Sequence, residues 1–309
     1  MEYRKLGPTG TQVSTLCLGA WRFGEATDED EGIRLVHMAL DHGINFVDTA
    51  NVYQRGVSET IVGKALQGKR DDVVLATKVH GPMGEGLNQR GNSRRHIMQQ
   101  VEASLRRLQT DWIDLYYLHR PDPLTPQEEE LMALDDLIRQ GKVRYAGSSH
   151  YPAWQLVRAK WIAADHNLHT FVVDQPGYNL LRRDIEQEVI PFAEAMDFGL
   201  VPHSPLAQGI LTGKYAGGQP PSDARGVKRN PKLLEQAQQA DPIVKKVMEI
   251  AEQVGKTPGQ VAIRWVLQKP AVSSSIIGPR TTEQLQDNLG SVDWQLSDEQ
   301  MEALDGAGD

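Results

Sequence analysis

The stretch GINFVDTANVYQRGVSETIVGKALQGKRDDVVLATK, Gly43 to Lys78, contains the unit from which the whole chain is built. It opens on a short apolar run, Ile44 to Asp48, and passes through a polar turn into a segment with Ile61 and Ala65 at helical spacing. It closes on a second apolar run, Asp72 to Lys78. Apolar runs this short read as strands, and apolar residues recurring every three to four positions mark one face of a helix. Strand, helix and strand in that order make a parallel crossover.

The same alternation continues in both directions. Further apolar runs are Ser14 to Gly19, Trp112 to His119, Val143 to Ser149, Phe171 to Gln175, Gly199 to Ser204 and Ser273 to Gly278, which brings the strand count to eight. Between them lie helix-period segments such as Ile33, Val36, Leu40, then Ile97, Val101, Leu105, Leu108, then Leu131, Leu134, Leu137, Ile138. Asp41-His42-Gly43 and Gln140-Gly141 read as glycine C-caps, and Thr257-Pro258 as an N-cap followed by proline at the first helical position. Eight β/α units in one chain close most naturally into a (β/α)8 TIM barrel, an α/β fold. An open doubly wound sheet is disfavoured, because no GxGxxG fingerprint follows the first strand.

Three segments stand outside the repeat. EYRKL, GPTG and QVS at the amino terminus read as a β-hairpin. Residues 213 to 232, rich in glycine, proline and charge, read as a long loop able to cover a ligand. The tail from Leu296 reads as a short extra helix with Ser297 as its N-cap. No interdomain linker is visible, so residues 1–309 are expected to form one domain.

Composition narrows the function. The 309 residues carry 33 basic and 41 acidic side chains, a formal charge of -8, with no basic run dense enough to follow a nucleic acid or an anionic membrane. The lone cysteine, Cys17, excludes an intrachain disulfide and fits a reducing compartment. No apolar run approaches the ~18 residues of a membrane span and no signal-peptide pattern opens the chain, so a cytoplasmic protein is expected. Oligomeric state is not readable. No metal site is expected, since the histidines show neither HxH at a strand end nor HExxH spacing.

In a TIM barrel the reacting groups sit where strands end. Strand two ends in Asp48, with Tyr53 in the loop beyond it; strand three ends in Lys78 and strand four in His119. Singly, each has an ordinary structural reading as cap, solvated charge or packing residue. Four ionisable groups on three adjacent strand ends are a different matter. A phenol with an ordinary pKa of ~10 is a weak acid, and a nearby ammonium lowers that value. Lys78 is expected to do this to Tyr53, Asp48 to keep Lys78 charged, and His119 to orient a carbonyl oxygen that Tyr53 protonates.

These residues carry a family resemblance. Gly43 to Leu66, VVLATKV at Val73 to Val79, SLRRLQTDWIDLYYLHRPD at Ser104 to Asp122, and HSPLAQGILTGKY at His203 to Tyr215 resemble the motifs of the aldo-keto reductases, and the similarity runs from the hairpin to about Asn288. Asp48, Tyr53, Lys78 and His119 match that family's tetrad position by position. The resemblance implies NADPH-dependent reduction of an aldehyde or ketone, with hydride from nicotinamide C4 and a proton from Tyr53. NADH remains possible, because some relatives have arginine where this chain has Gln284.

For the cofactor, the resemblance implies Gly19, Ala20 and Trp21 after strand one; Ser149, His150 and Gln175 at the nicotinamide; His203 stacked on its ring; and Ser204, Leu206, Gln208 and Gly209 at the pyrophosphate. Gly278, Arg280, Gln284 and Asn288 would meet the adenosine end, with Arg280 as fork for the 2′-phosphate and the helix start near Thr281 and Thr282 offering free N–H groups. His150 and His203 depart from the family's usual asparagine and tyrosine. Trp21, Tyr53, His119, Tyr178 and the loop from Gly81 to Gly91 are expected to frame the substrate pocket. Two rival readings are a cofactor-binding regulatory subunit, similar to the potassium-channel β-subunit branch of the same superfamily, and an aldolase using Lys78 as a Schiff-base nucleophile.

Overall fold

A computed structural model describes residues 1–216, 230 and 232–308 of the chain. Eight parallel strands form one curled sheet in the order β10-β3-β4-β5-β6-β7-β8-β9: β3 (Leu16–Gly19), β4 (Phe46–Asp48), β5 (Val74–Val79), β6 (Ile113–Leu118), β7 (Val143–Ser148), β8 (Phe171–Asp174), β9 (Gly199–Leu200) and β10 (Ser275–Ile277). Parallel bridges Leu200↔Val272 and His203↔Ile276 join the two edges. The fold is the (β/α)8 barrel that the alternation predicts. Most of the expected loop 213–232 lies outside the described residues.

Each apolar run contains a strand, yet the strands are shorter than the runs. The clearest case is Gly199 to Ser204, where the ladder stops at Leu200 and resumes as a bridge at His203. Pro202 has no N–H to offer between them.

The hairpin β1 (Tyr3–Lys5) and β2 (Gln12–Ser14) closes the amino-terminal end of the barrel. Leu6 and Val13 from this hairpin join Cys17, Phe46, Leu115, Tyr117, Val173 and Val201 in the core cluster that fills the interior. Gly7 makes the closure possible: its φ is +54°, and a Cβ there would lie 2.2 Å from the Val172 carbonyl oxygen. Cys17 is wholly buried and free, a core residue.

The helices α1 (Glu29–Asp41), α2 (Val57–Ala65), α3 (Arg94–Leu108), α4 (Gln127–Arg139), α5 (Ala153–His166) and α6 (Val189–Ala195) cover the sheet. Beyond the undescribed segment, α7 (Leu233–Gln239), α8 (Asp241–Val254), α9 (Pro258–Leu267), α10 (Thr282–Leu289) and α11 (Asp298–Asp305) complete the shell. Their ends follow the local signals. His42 and Gln140 are C-caps with Gly43 and Gly141 at positive φ just beyond. Thr257 and Ser297 each form a full capping box, with Gln260 and Gln300. No helix among the described residues is long and apolar enough to cross a membrane.

Two buried carboxyls tie the strand-end loops to this frame. Glu130 of α4 accepts from Asn92 Nδ2 at 2.7 Å and from the Tyr151 hydroxyl at 3.1 Å, and burial pushes its pKa up to about 7. Asp174, at the end of β8, accepts from Ser148 Oγ at 2.7 Å and is likewise raised to about 7 by burial. Both bind a proton more readily in the folded chain than in the unfolded one. Their contribution to stability is therefore complete below the ordinary carboxyl range and is lost as pH rises through about 7. Thermal midpoints are expected to fall between about pH 5 and about pH 8, and Glu130→Gln, which keeps the shape and cannot ionise, should flatten that fall. Parallel profiles for the two proteins would show that Glu130 is not responsible.

Candidate active site

The parallel register sets Asp48 opposite Ala76, so Lys78, one repeat further along β5, points to the same side of the sheet. The ammonium donates to Asp48 Oδ1 and, at 2.8 Å, to the Thr49 carbonyl oxygen. Neither partner of the pair reaches water: Lys78 is 0% exposed and Asp48 3%. The second carboxylate oxygen accepts from Gln175 Nε2 at 2.9 Å, across the barrel from β8.

Burial alone would strip the proton from Lys78, but the charge of Asp48 and the hydrogen bond to it hold its pKa above the ordinary lysine value. Burial raises Asp48 against the opposing pull of Lys78 and Gln175. The pair is read as ammonium and carboxylate, since each has hydrogen-bond partners suited to its charged form.

Tyr53 follows Asp48 through the turn Thr49 to Val52 and is only partly buried. The Lys78 nitrogen lies 5.2 Å from the centroid of its ring. His119 closes the group, its ring edge-on to Tyr53 with centroids 5.7 Å apart. The structure thus brings together the four residues predicted from the strand ends.

One expectation about them needs correction. The sequence reading gave Tyr53 a lowered pKa, whereas burial raises it above the ordinary phenol value, and Lys78 only partly offsets that rise. The phenol is therefore fully protonated at neutral pH. Lys78 acts by making the phenolate less costly than burial alone would. His119 is held well below the ordinary histidine range, by burial first and then by Lys78, and is a neutral imidazole.

On the next strand ends, Ser149 is buried and donates its hydroxyl to the Gln175 carbonyl oxygen at 2.8 Å. His150 and His203 meet edge to face, 5.1 Å between centroids, with their Nε2 atoms 3.3 Å apart. One ring must donate and the other accept, so at most one of them can carry a charge. Their pKa values, lowered to about 4 and about 3, follow mainly from burial.

Comparison with known proteins now identifies the frame that holds this group. The aldo/keto reductase family model matches residues 15–309. This chain belongs to the aldo/keto reductase family. A probable voltage-gated potassium channel β subunit of Arabidopsis thaliana is 41% identical over 302 residues, covering 95% of this chain and 92% of that one. An uncharacterized oxidoreductase of Bacillus subtilis is 41% identical over 315 residues, covering 98% and 95%. A putative potassium channel β subunit of Schizosaccharomyces pombe is 38% identical over 322 residues, covering 99% and 92%.

Gly19 leaves room for Ile276, whose Cγ2 lies 2.6 Å from where a Cβ would be, and Ala20 accepts from the Ser58 hydroxyl. Trp21 is 46% exposed with Arg22 over its ring at 5.2 Å, so it stands at the rim. Beyond His203 the chain runs through Ser204, Ala207, Gln208 and Gly209, all at positive φ, a conformation that leaves Gly209 without strain and the others with some. Leu206 is half-buried between them. Gly278 has open space where a Cβ would point, and among the described residues the Arg280 guanidinium makes no ion pair. Gln284 is exposed, while Asn288 is 5% exposed and packed into the shell.

Two predicted placements are overturned. Tyr178 is 0% exposed: its ring lies 5.1 Å from that of Trp265 and its hydroxyl donates to Glu186, so it belongs to the core and not to the pocket. The Thr282 N–H at the start of α10 is not open either. Thr282 N–H donates to Glu31 Oε1 at 3.0 Å, and Arg280 N–H to Gln284 Oε1 at 2.8 Å. An unpaired N–H at a helix start takes any nearby acceptor, and here the first turn of α1 supplies one.

Sequence reasoning missed Arg120 and Arg182, whose charges bear on both His150 and His203. Arg120 carried a signal, since it directly follows His119 at a strand end. Arg182 carried none: it reaches the group through a bridge between Asn179 and itself. Beside His150 lies a cavity of about 300 Å³, lined by Asp174, Pro176, Arg182 and Glu188 among others. None of the four tetrad residues lines it.

The buried pair gives a direct test of this construction. Asp48→Asn leaves an ammonium in a water-free interior without its counter-charge and should destabilise the protein by about 3–5 kcal/mol. Replacing both partners, Asp48→Leu with Lys78→Met, should recover most of that loss in denaturant titrations. A single variant within about 1 kcal/mol of the parent would mean that the pair is not held as described.

Proposed function

We propose that this chain is an NADPH-dependent reductase of aldehydes or ketones. The observation that carries the proposal is a protonated, buried-edge phenol with a charged lysine beneath it and a neutral imidazole edge-on to it, on the frame of a family of oxidoreductases. The residues present suit a dinucleotide: open space at Gly278, a guanidinium at Arg280 that makes no ion pair among the described residues, and a positive-φ loop at Ser204 to Gly209. When bound, a nicotinamide supplies the hydride.

Every other role belongs to the chain's own side chains. Tyr53 donates its proton to the carbonyl oxygen as negative charge develops there. Lys78 stabilises the phenolate left behind, because its ammonium is fixed by Asp48 and Thr49 and needs no reorganisation. His119, neutral and edge-on to Tyr53, offers one N–H to the same oxygen. A Schiff-base role for Lys78 is disfavoured, since a nucleophilic amine must lose the proton that Asp48 retains. NADH is the alternative reductant, and the compartment that suits the reading is the cytoplasm.

The second reading, a cofactor-binding regulatory subunit with little turnover, draws on the plant and yeast relatives named as channel β subunits. NADPH consumption with a panel of aldehydes, dicarbonyls and ketones separates the two. Tyr53→Phe should lower turnover by about 10²-fold or more while NADPH still binds. Absence of turnover across the panel, with NADPH bound, would favour the regulatory reading. Since Tyr53 titrates above the ordinary phenol, reduction should stay level through neutral pH and decline only beyond ~10. A decline centred near neutrality would assign the proton to another group.

A further inference from the structure

The start of α10 carries a carboxylate where a phosphorylated ligand would gain most from positive charge. Glu31 Oε1 accepts from Thr282 N–H at 3.0 Å, in the first turn of that helix and two residues beyond Arg280. The placement is built, not incidental. Asp28 caps α1 by accepting from Glu31 N–H at 2.9 Å, and Thr27 Oγ1 donates to the Arg280 carbonyl oxygen at 3.2 Å, so the start of α1 is itself ordered and is tied to this corner at two points. The Glu31 side chain is 19% exposed. Its second oxygen is held by Arg34 at 2.7 Å, but that arginine is 61% exposed and the pair is weakened by solvent.

An anion at this corner therefore meets two opposed charges, the Arg280 guanidinium and the Glu31 carboxylate, and the Thr282 N–H at the helix start is already engaged. From this geometry we infer that Glu31 is a specificity-determining residue: it weakens the hold on an adenosine 2′-phosphate and so narrows the preference for NADPH over NADH. The inference rests on the cofactor reading proposed above. NADH lacks the 2′-phosphate, so a charge at Glu31 acts on one cofactor and leaves the other nearly unaffected.

Glu31→Gln isolates the effect, because the amide oxygen still accepts from Thr282 N–H while the charge is gone. Dissociation constants for NADP⁺ and NAD⁺, taken by calorimetry on the parent and the variant at low and high salt, give the readout. NADP⁺ should bind about two- to five-fold more tightly to the variant, with NAD⁺ unchanged, and the gain should shrink as salt rises. Equal changes for both cofactors, including a joint loss from a loosened α1–α10 contact, would overturn the inference, as would no change for either. If the parent binds neither cofactor, the functional reading itself fails, which is a separate outcome.

Discussion

An ion pair shut away from water governs this molecule. Asp48 and Lys78 sit on neighbouring strands with essentially no exposure, and each charged form has a partner besides the other: the Thr49 carbonyl oxygen accepts from the ammonium and Gln175 donates one N–H to the carboxylate. Gln175 stands 127 residues from Asp48 in the chain. The pair is complete only when β8 has come round to face β4, so closure of the barrel and satisfaction of its most costly buried charges are one event. A buried pair of this sort adds little net stability, but a broken one is heavily penalised, which favours the arrangement with all partners present.

The chemistry follows from the same constraint. A fixed ammonium under a phenol changes the energy of the phenolate without any movement, and the low-dielectric surroundings that raise the pKa of Tyr53 also strengthen that interaction. The imidazoles at the rim are kept neutral by the same burial and by the crowd of positive charges around them, Lys78, Arg120 and Arg182. Positive charge thus accumulates at one end of a chain whose formal charge is -8. That local field suits an anionic ligand better than the global charge would.

Left-handed backbone recurs at this end as well. Gln54 and Arg55 adopt left-handed φ values of 46° and 53° directly after Tyr53, His150 sits at 61° after Ser149, and Ser204, Ala207 and Gln208 follow His203 at 61°, 47° and 58°. Non-glycine residues in this region cost about 1–3 kcal/mol each and persist only where the surroundings dictate them. Elsewhere left-handed non-glycine residues stand singly, as Gln109 and Asn167 do where they cap the carboxyl ends of α3 and α5.

The sequence by itself determined the barrel, the helix caps and the tetrad. These depend on the period of apolar residues, on glycine and proline at fixed offsets, and on ionisable groups at strand ends, all of which are local. Tertiary structure alone decided the rest. It raised the pKa of Tyr53 because burial is a property of the packed fold, withdrew Tyr178 into the core against Trp265, and set Glu31 on a helix start 251 residues away. Desolvation and long-range pairing are sums over everything that packs around a group, and no short window of residues contains them.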